Sequence, residues 1–356
     1  MTLEISSDGR AEIKSKVIEI LEKYGTPSLP LKIGSIIRNM PHVKLITYSS
    51  QIRKYNISYN ELIINAETKD SYAVFQASTK RFCIYYNDLD VNITSSNRVR
   101  WNLAHELGHI VLNHHQKIGL NKLYRTGIDD ATYNYFEKEA DYFAQLILVP
   151  HAVLYAFKIQ NSTNIKYLCK ISSPASRKRY YEYVKWKSHV NTKDEYDNRI
   201  FRYYYDFIYK RQCKHCGAKL IQRYGKYCPI CGNKNSLQWG DGKMIYPKLE
   251  TYEDGKLKDC PICQNEETHI EGEYCIICGN PLVNTCSNEE CSHQVLPSNA
   301  RYCPICGSET TFYRRGILKA WDYNEDDLPP EDGFMNIPDT DETMYISNID
   351  EELPFN

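Results

Sequence analysis

Twelve of the fourteen cysteines fall after residue 212, in paired clusters, and this feature constrains the fold most. Cys213 and Cys216 pair with Cys228 and Cys231, Cys260 and Cys263 with Cys275 and Cys278, and Cys286 and Cys291 with Cys303 and Cys306. Eleven residues separate the two pairs in every cluster, and YCPICG (227–232), YCIICG (274–279) and YCPICG (302–307) nearly repeat. A CxxCG turn lets two thiolates grip one ion, and a second turn completes a tetrahedral four-thiolate site. Modules this small bury too little apolar surface to fold alone, whereas structural zinc supplies on the order of 10 kcal/mol. The spacing therefore predicts three structural Zn2+ ions under reducing conditions rather than disulfides. CSNEEC, with its wider spacing, is the one departure from the repeat, and Cys83 and Cys169 are left as ordinary thiols.

The first half carries HELGH at 105–109. Residues four apart share a helix face, so His105 and His109 can point two imidazoles at one metal, with Glu106 beside it as a general base for amide hydrolysis. Val99, Leu103, Leu107 and Ile110 give the segment an apolar face, and Gly108 is expected to leave open space at the metal. A catalytic zinc needs a third protein ligand. FEKEADYFAQLILVP supplies it: Glu137 is assigned as ligand and Asp141 as an acceptor orienting a histidine N–H, while Ala140 and Ala144 allow close helix packing. Glu139 lies about 200° round the helix from Glu137, so only one of the two faces the metal, and solvent is the default place for such a charge. His114, His115 and His151 are nearby but are not assigned a role.

Apolar spacing predicts helices over 11–24, 31–38, 98–114 and 135–149, with short β-rich runs from Val43 to Tyr86 that include a hairpin of YAVFQ (72–76) and RFCIYY (81–86). Residues 161–212 mix cations with tyrosines and read as two amphipathic helices packed on the first domain, in preference to a nucleic-acid surface. No basic residue follows Lys319, and the acidic tail is expected to be disordered, with reach to the cationic connector as an autoinhibitory option.

RVRWNLAHELGHIVLNHH followed by EKEADYFAQLILVP resembles the ImmA/IrrE family of metallopeptidases, which are gluzincins. The likeness extends over roughly residues 10–155. It implies a zincin-like domain, Glu137 as third ligand, and RFCIYYN as the strand above the active-site helix where an extended substrate pairs. Members act on transcriptional repressors, often in stress response. The cysteine half is similar to single and double zinc-ribbon modules, which bind protein or nucleic acid.

The expected fold is therefore α+β: a metallopeptidase domain of helices and a small sheet (1–160), a helical connector (161–212), one zinc ribbon (213–245), a double ribbon (246–320) and an acidic tail (321–356). The expected function is that of a zinc endopeptidase acting on a protein substrate such as a DNA-binding repressor, with one catalytic and three structural zinc ions. The alternative is a ribbon adaptor or regulator with an inactive peptidase-like domain. A net charge of −1 argues against nucleic-acid binding by overall charge, and without a signal peptide or a membrane-length apolar run the expected location is the cytoplasm.

Overall fold

The computed structural model describes residues 4–92, 97–117, 119, 129–189, 194–291 and 294–323. The chain divides into two compact units. The first comprises Met1–Gln212 with Lys219–Arg223 and Gln238–Gly242; the second holds the cysteine clusters. The tail beyond residue 323 lies outside the described residues, and with it the autoinhibitory option.

In the first unit, α1 (Ser7–Tyr24) is capped by Ser6, whose hydroxyl accepts from the Gly9 N–H, and it buries Ile13, Val17, Ile20 and Leu21. Helix α2 (Ile33–Asn39) leads into β1 (Val43–Thr47). The region read as β-rich contains two further helices, α3 (Tyr48–Tyr55) and α4 (Tyr59–Ala66). Their signals are terminal rather than periodic: Ser58 and Glu61 form a reciprocal capping box, and both helices end on left-handed residues, Asn56 and Glu67.

The hairpin forms as expected, with β2 (Ser71–Gln76) antiparallel to β3 (Arg81–Tyr86). The strand order is β1-β3-β2, with β1 parallel to β3. RFCIYY is therefore central and paired on both sides. The expected role of that strand as a peptide acceptor is incorrect, since the edges of this sheet are β1 and β2. The Asn87 N–H donates to the Asp70 carbonyl, so by antiparallel alternation the backbone groups of Ser71, Ala73 and Phe75 point away from β3.

Helix α5 (Arg98–Val111) packs against α7 (Asp130–Leu148), with a short α6 (His114–Lys117) between them in sequence. Gly108 explains the packing: a Cβ there would meet the Ala140 backbone at 3.1 Å and the Phe143 ring at 3.2 Å. The glycine admits α7; it does not leave open space at the metal. Leu103, Leu107, Ile110, Ala140 and Ala144 are buried at this seam, while Val99 is only partly so.

Beyond α8 (His151–Ala156), residues 161–212 form four described helices, not two: α9 (Ser162–Cys169), α10 (Ser173–Lys187), α11 (Glu195–Tyr203) and α12 (Tyr205–Tyr209). Tyr183, Tyr196 and Tyr204 are buried in the same core as Ile13 and Val17, so the segment completes the first unit's core with these three tyrosines, while Tyr167 and Tyr181 face solvent. Cys83 and Cys169 are buried too, and burial raises both thiols, Cys169 to about 12, which removes them as reactive thiolates.

His151 contributes a pH dependence to this core. Its Nε2 is buried without a hydrogen-bond partner among the described residues, and its ring lies beside those of Tyr183 and Trp186. Burial and the nearby Arg179 lower its pKa to about 4. The unfolded chain therefore binds one more proton between about pH 6.5 and 4, and stability falls as pH drops through that window. His151→Phe should make the acid-unfolding curve shallower by about one proton, measured as the pH slope of the urea midpoint.

A small sheet of β4 (Lys210–Cys213), β5 (Lys219–Ile221) and β6 (Leu237–Trp239), in the order β5-β4-β6, begins the cysteine half. In the second unit the middle and last ribbons share a core of Leu257, Leu282, Phe312 and Leu318, the last two on and after α13 (Thr311–Arg314). Among the described residues no helix is long and apolar enough to cross a membrane.

Candidate metal centre and cleft

His105 and His109 lie one turn apart on α5, and Glu137 reaches them from α7. The two Nε2 atoms are 3.0 Å apart, and the Glu137 carboxylate stands 3.3 Å from His105 Nε2 and 3.4 Å from His109 Nε2. Ligand bonds of about 2.0–2.1 Å in a tetrahedron space the donors by about 3.3 Å, so this triad fits one metal ion. All three sequence-assigned donors are brought together.

The charge state suits a cation. Burial opposes ionisation of Glu137, but the two histidines beside its carboxylate outweigh this and hold it well below its ordinary range. Burial lowers His109 to about 3, which leaves its imidazole neutral. His105 is buried as well, yet Asp141 and Glu137 overcome that and raise it to about 10; a metal ion would replace the proton shared there.

Each histidine is held from behind. His105 Nδ1 donates to Asp141 Oδ1 at 3.0 Å, where the sequence placed that acceptor. His109 is held by a residue the sequence reading passed over: its Nδ1 lies 2.8 Å from His114 Nδ1, and His114 Nε2 lies 3.0 Å from Glu139. With His109 Nε2 facing the cluster, the network fixes the tautomers: His109 donates to His114, and His114 donates to Glu139. Both outer residues are buried, and His114 stacks on Phe136 at 4.3 Å. The default reading of Glu139 as a solvated charge is thus incorrect. The available signal was the helix break at Leu112 and Asn113, which turns His114 back towards His109.

This chain of donors predicts that His114→Ala weakens metal binding at the triad by about 10–100-fold, with a smaller loss for His114→Gln, which retains an acceptor. Chelator-competition titration reads the difference.

Glu106 faces β2. The Ser71 hydroxyl donates to Glu106 Oε1 at 2.9 Å and the Ala73 backbone bonds the same carboxylate, while burial raises its pKa above the ordinary value. These residues line a cleft of about 640 Å3, together with Trp101, Tyr133 and Asp141. Its rim is braced by Arg98 and Asn102, which both bond Asp70. His115 also lines the cleft, 3.4 Å from the Ala73 carbonyl, and burial lowers it to about 4.

All twelve clustered cysteines gather into three four-sulfur sites. Sulfur separations are 3.7 and 3.8 Å in the first, 3.5 and 3.6 Å in the second, and 3.4 and 3.8 Å in the third. Metal–sulfur bonds of about 2.3 Å place tetrahedral donors about 3.8 Å apart, and a disulfide would need about 2.05 Å. The wider CSNEEC spacing does not displace Cys286 or Cys291 from their site. The chain thus contains three four-cysteine groups and one His/Glu group that could hold metal ions.

No curated protein matches the chain. Residues 58–172, which carry β2, β3, α5 and α7, match the Peptidase_M78 family model, described as the IrrE N-terminal-like domain.

Proposed function

We propose that the chain is a zinc-dependent endopeptidase acting on a protein substrate. The observation that carries this reading is the convergence of His105, His109 and Glu137 at tetrahedral donor spacing, with Glu106 fixed beside them in an open cleft. The peptidase-family match over 58–172 supports the same chemistry. The borderline-hard mixture of two imidazoles and a carboxylate favours zinc, and three protein donors leave a fourth position for reaction.

Zinc, when bound, acts as a Lewis acid towards the scissile carbonyl and acidifies water. Glu106 takes the water proton and delivers it to the departing amide nitrogen. Ser71 and the Ala73 backbone orient that carboxylate, while Asp141 and His114 keep the imidazoles aligned. An extended peptide pairs along the outer edge of β2, beside the triad, where the Ala73 backbone is already held by Glu106 and His115. A regulator such as a DNA-binding repressor is the substrate class suggested by the family likeness, and the thiolate-held ribbons are the candidates for recruiting it.

Metal stoichiometry separates this reading from a ribbon adaptor with a dead peptidase domain. We expect four zinc ions per wild-type chain and three in His105→Ala/His109→Ala, by elemental analysis against protein mass. Three ions in the wild type would favour the adaptor.

A further inference from the structure

The internal repeat places the same turn in all three ribbons. Cys228, Cys275 and Cys303 each donate their N–H to the carbonyl five residues on, and Gly232, Gly279 and Gly307 each donate back to the cysteine four residues earlier. A tyrosine precedes each turn: Tyr227, Tyr274 and Tyr302.

Two of these turns bind one another. The Lys226 and Tyr227 N–H groups donate to the Pro304 carbonyl at 2.8 and 3.1 Å, and Arg301 and Tyr302 donate to the Pro229 carbonyl at 2.7 and 3.0 Å. Each tyrosine lies over the other ribbon's glycine: a Cβ on Gly307 would meet the Tyr227 ring at 2.6 Å, and one on Gly232 the Tyr302 ring at 3.0 Å. The contact is reciprocal, since each partner supplies two donors, one acceptor, a ring and a glycine.

The middle ribbon has every one of these parts, and among the described residues nothing pairs with them. The Glu273 and Tyr274 N–H groups and the Ile276 carbonyl make no such bond among the described residues, and a Cβ on Gly279 would meet nothing within 4 Å. Tyr274, Ile276 and Ile277 are 58%, 62% and 68% exposed. In the first ribbon the corresponding Pro229 and Ile230 are buried, while in the third Ile305 stays 47% exposed.

We propose that the YCIICG turn of the middle ribbon is a self-association surface that pairs with the same turn of a second copy of this chain, in the register of the first and third ribbons. A surface carrying both halves of a reciprocal contact is self-complementary about a two-fold axis, the geometry of a symmetric dimer. The first and third turns are already used on each other, which leaves the second copy's middle turn as the matching partner. Ile276 replaces the proline but keeps the acceptor carbonyl, and with Ile277 it adds apolar area to bury.

Sedimentation of the zinc-loaded full chain should show a concentration-dependent dimer. Tyr274→Asp should raise the dimer Kd by about 30-fold, as for loss of a central aromatic anchor. A cobalt-substituted sample should keep its thiolate absorption, showing the ribbons folded. A photo-crosslinking residue at position 274, in mixed light and heavy chains, should join unlike chains with attachment within 275–280. A wild type that stays monomeric at about 0.1 mM, a dimer indifferent to Tyr274→Asp, or crosslinks landing elsewhere would each overturn the proposal.

Discussion

Glu106→Gln is expected to keep all four metal ions and to lower peptide-bond cleavage by about 10^2- to 10^4-fold, the usual contribution of a positioned general base. The amide retains the size of the side chain and can still pair with the Ser71 hydroxyl, so the cleft between β2 and α5 should persist. It cannot take a proton from water. Because neither His105, His109 nor Glu137 is altered, a loss of turnover with full metal content separates the base from the ligands. The comparison is made in single-turnover assays of wild type and variant, with elemental analysis on the same samples.

The other large effect is in the ribbons. Cys303→Ala should remove the metal from the third four-sulfur site and spread disorder beyond it. That ribbon shares Phe312 and Leu318 with the middle one and trades backbone hydrogen bonds with the first. A structural zinc ion contributes on the order of 10 kcal/mol, more than a module of this size recovers from apolar burial. Hydrogen exchange should therefore quicken across 284–318 and in the turn at 226–235. Exchange confined to the last ribbon would show the three to be independent.

Much of this molecule was legible where chemistry imposes spacing. Two imidazoles one helical turn apart, and thiolates separated by two or four intervening residues, leave few geometries for one ion, so His105, His109 and the twelve cysteines could be placed from the sequence. Glu137 and Asp141 followed from helical phase. The rest depends on packing that periodicity does not encode. Helices α3 and α4 hid in a β-branched, tyrosine-rich stretch, and only their caps announce them. His114 is given no role by the sequence because α5 stops at Val111, and a continued helix would have aimed it elsewhere. Glu139 looked like a surface charge until His114 was found against it.

The edge strand was misplaced for a similar reason. A hairpin can be read from its turn, but which of its strands faces outward depends on β1, which pairs in parallel from forty residues away. Gly108 was also misjudged. Its role became evident only with Ala140 at contact distance, a relation between two helices rather than a property of either.

The central claim is that the His105, His109 and Glu137 site hydrolyses a protein. It is tested most directly by a proteome-wide comparison of new N-termini in cells carrying the wild type or Glu106→Gln. The account predicts N-termini present with the wild type and absent with the variant, both proteins carrying four zinc ions. Identical sets from the two, at equal zinc content, would contradict it.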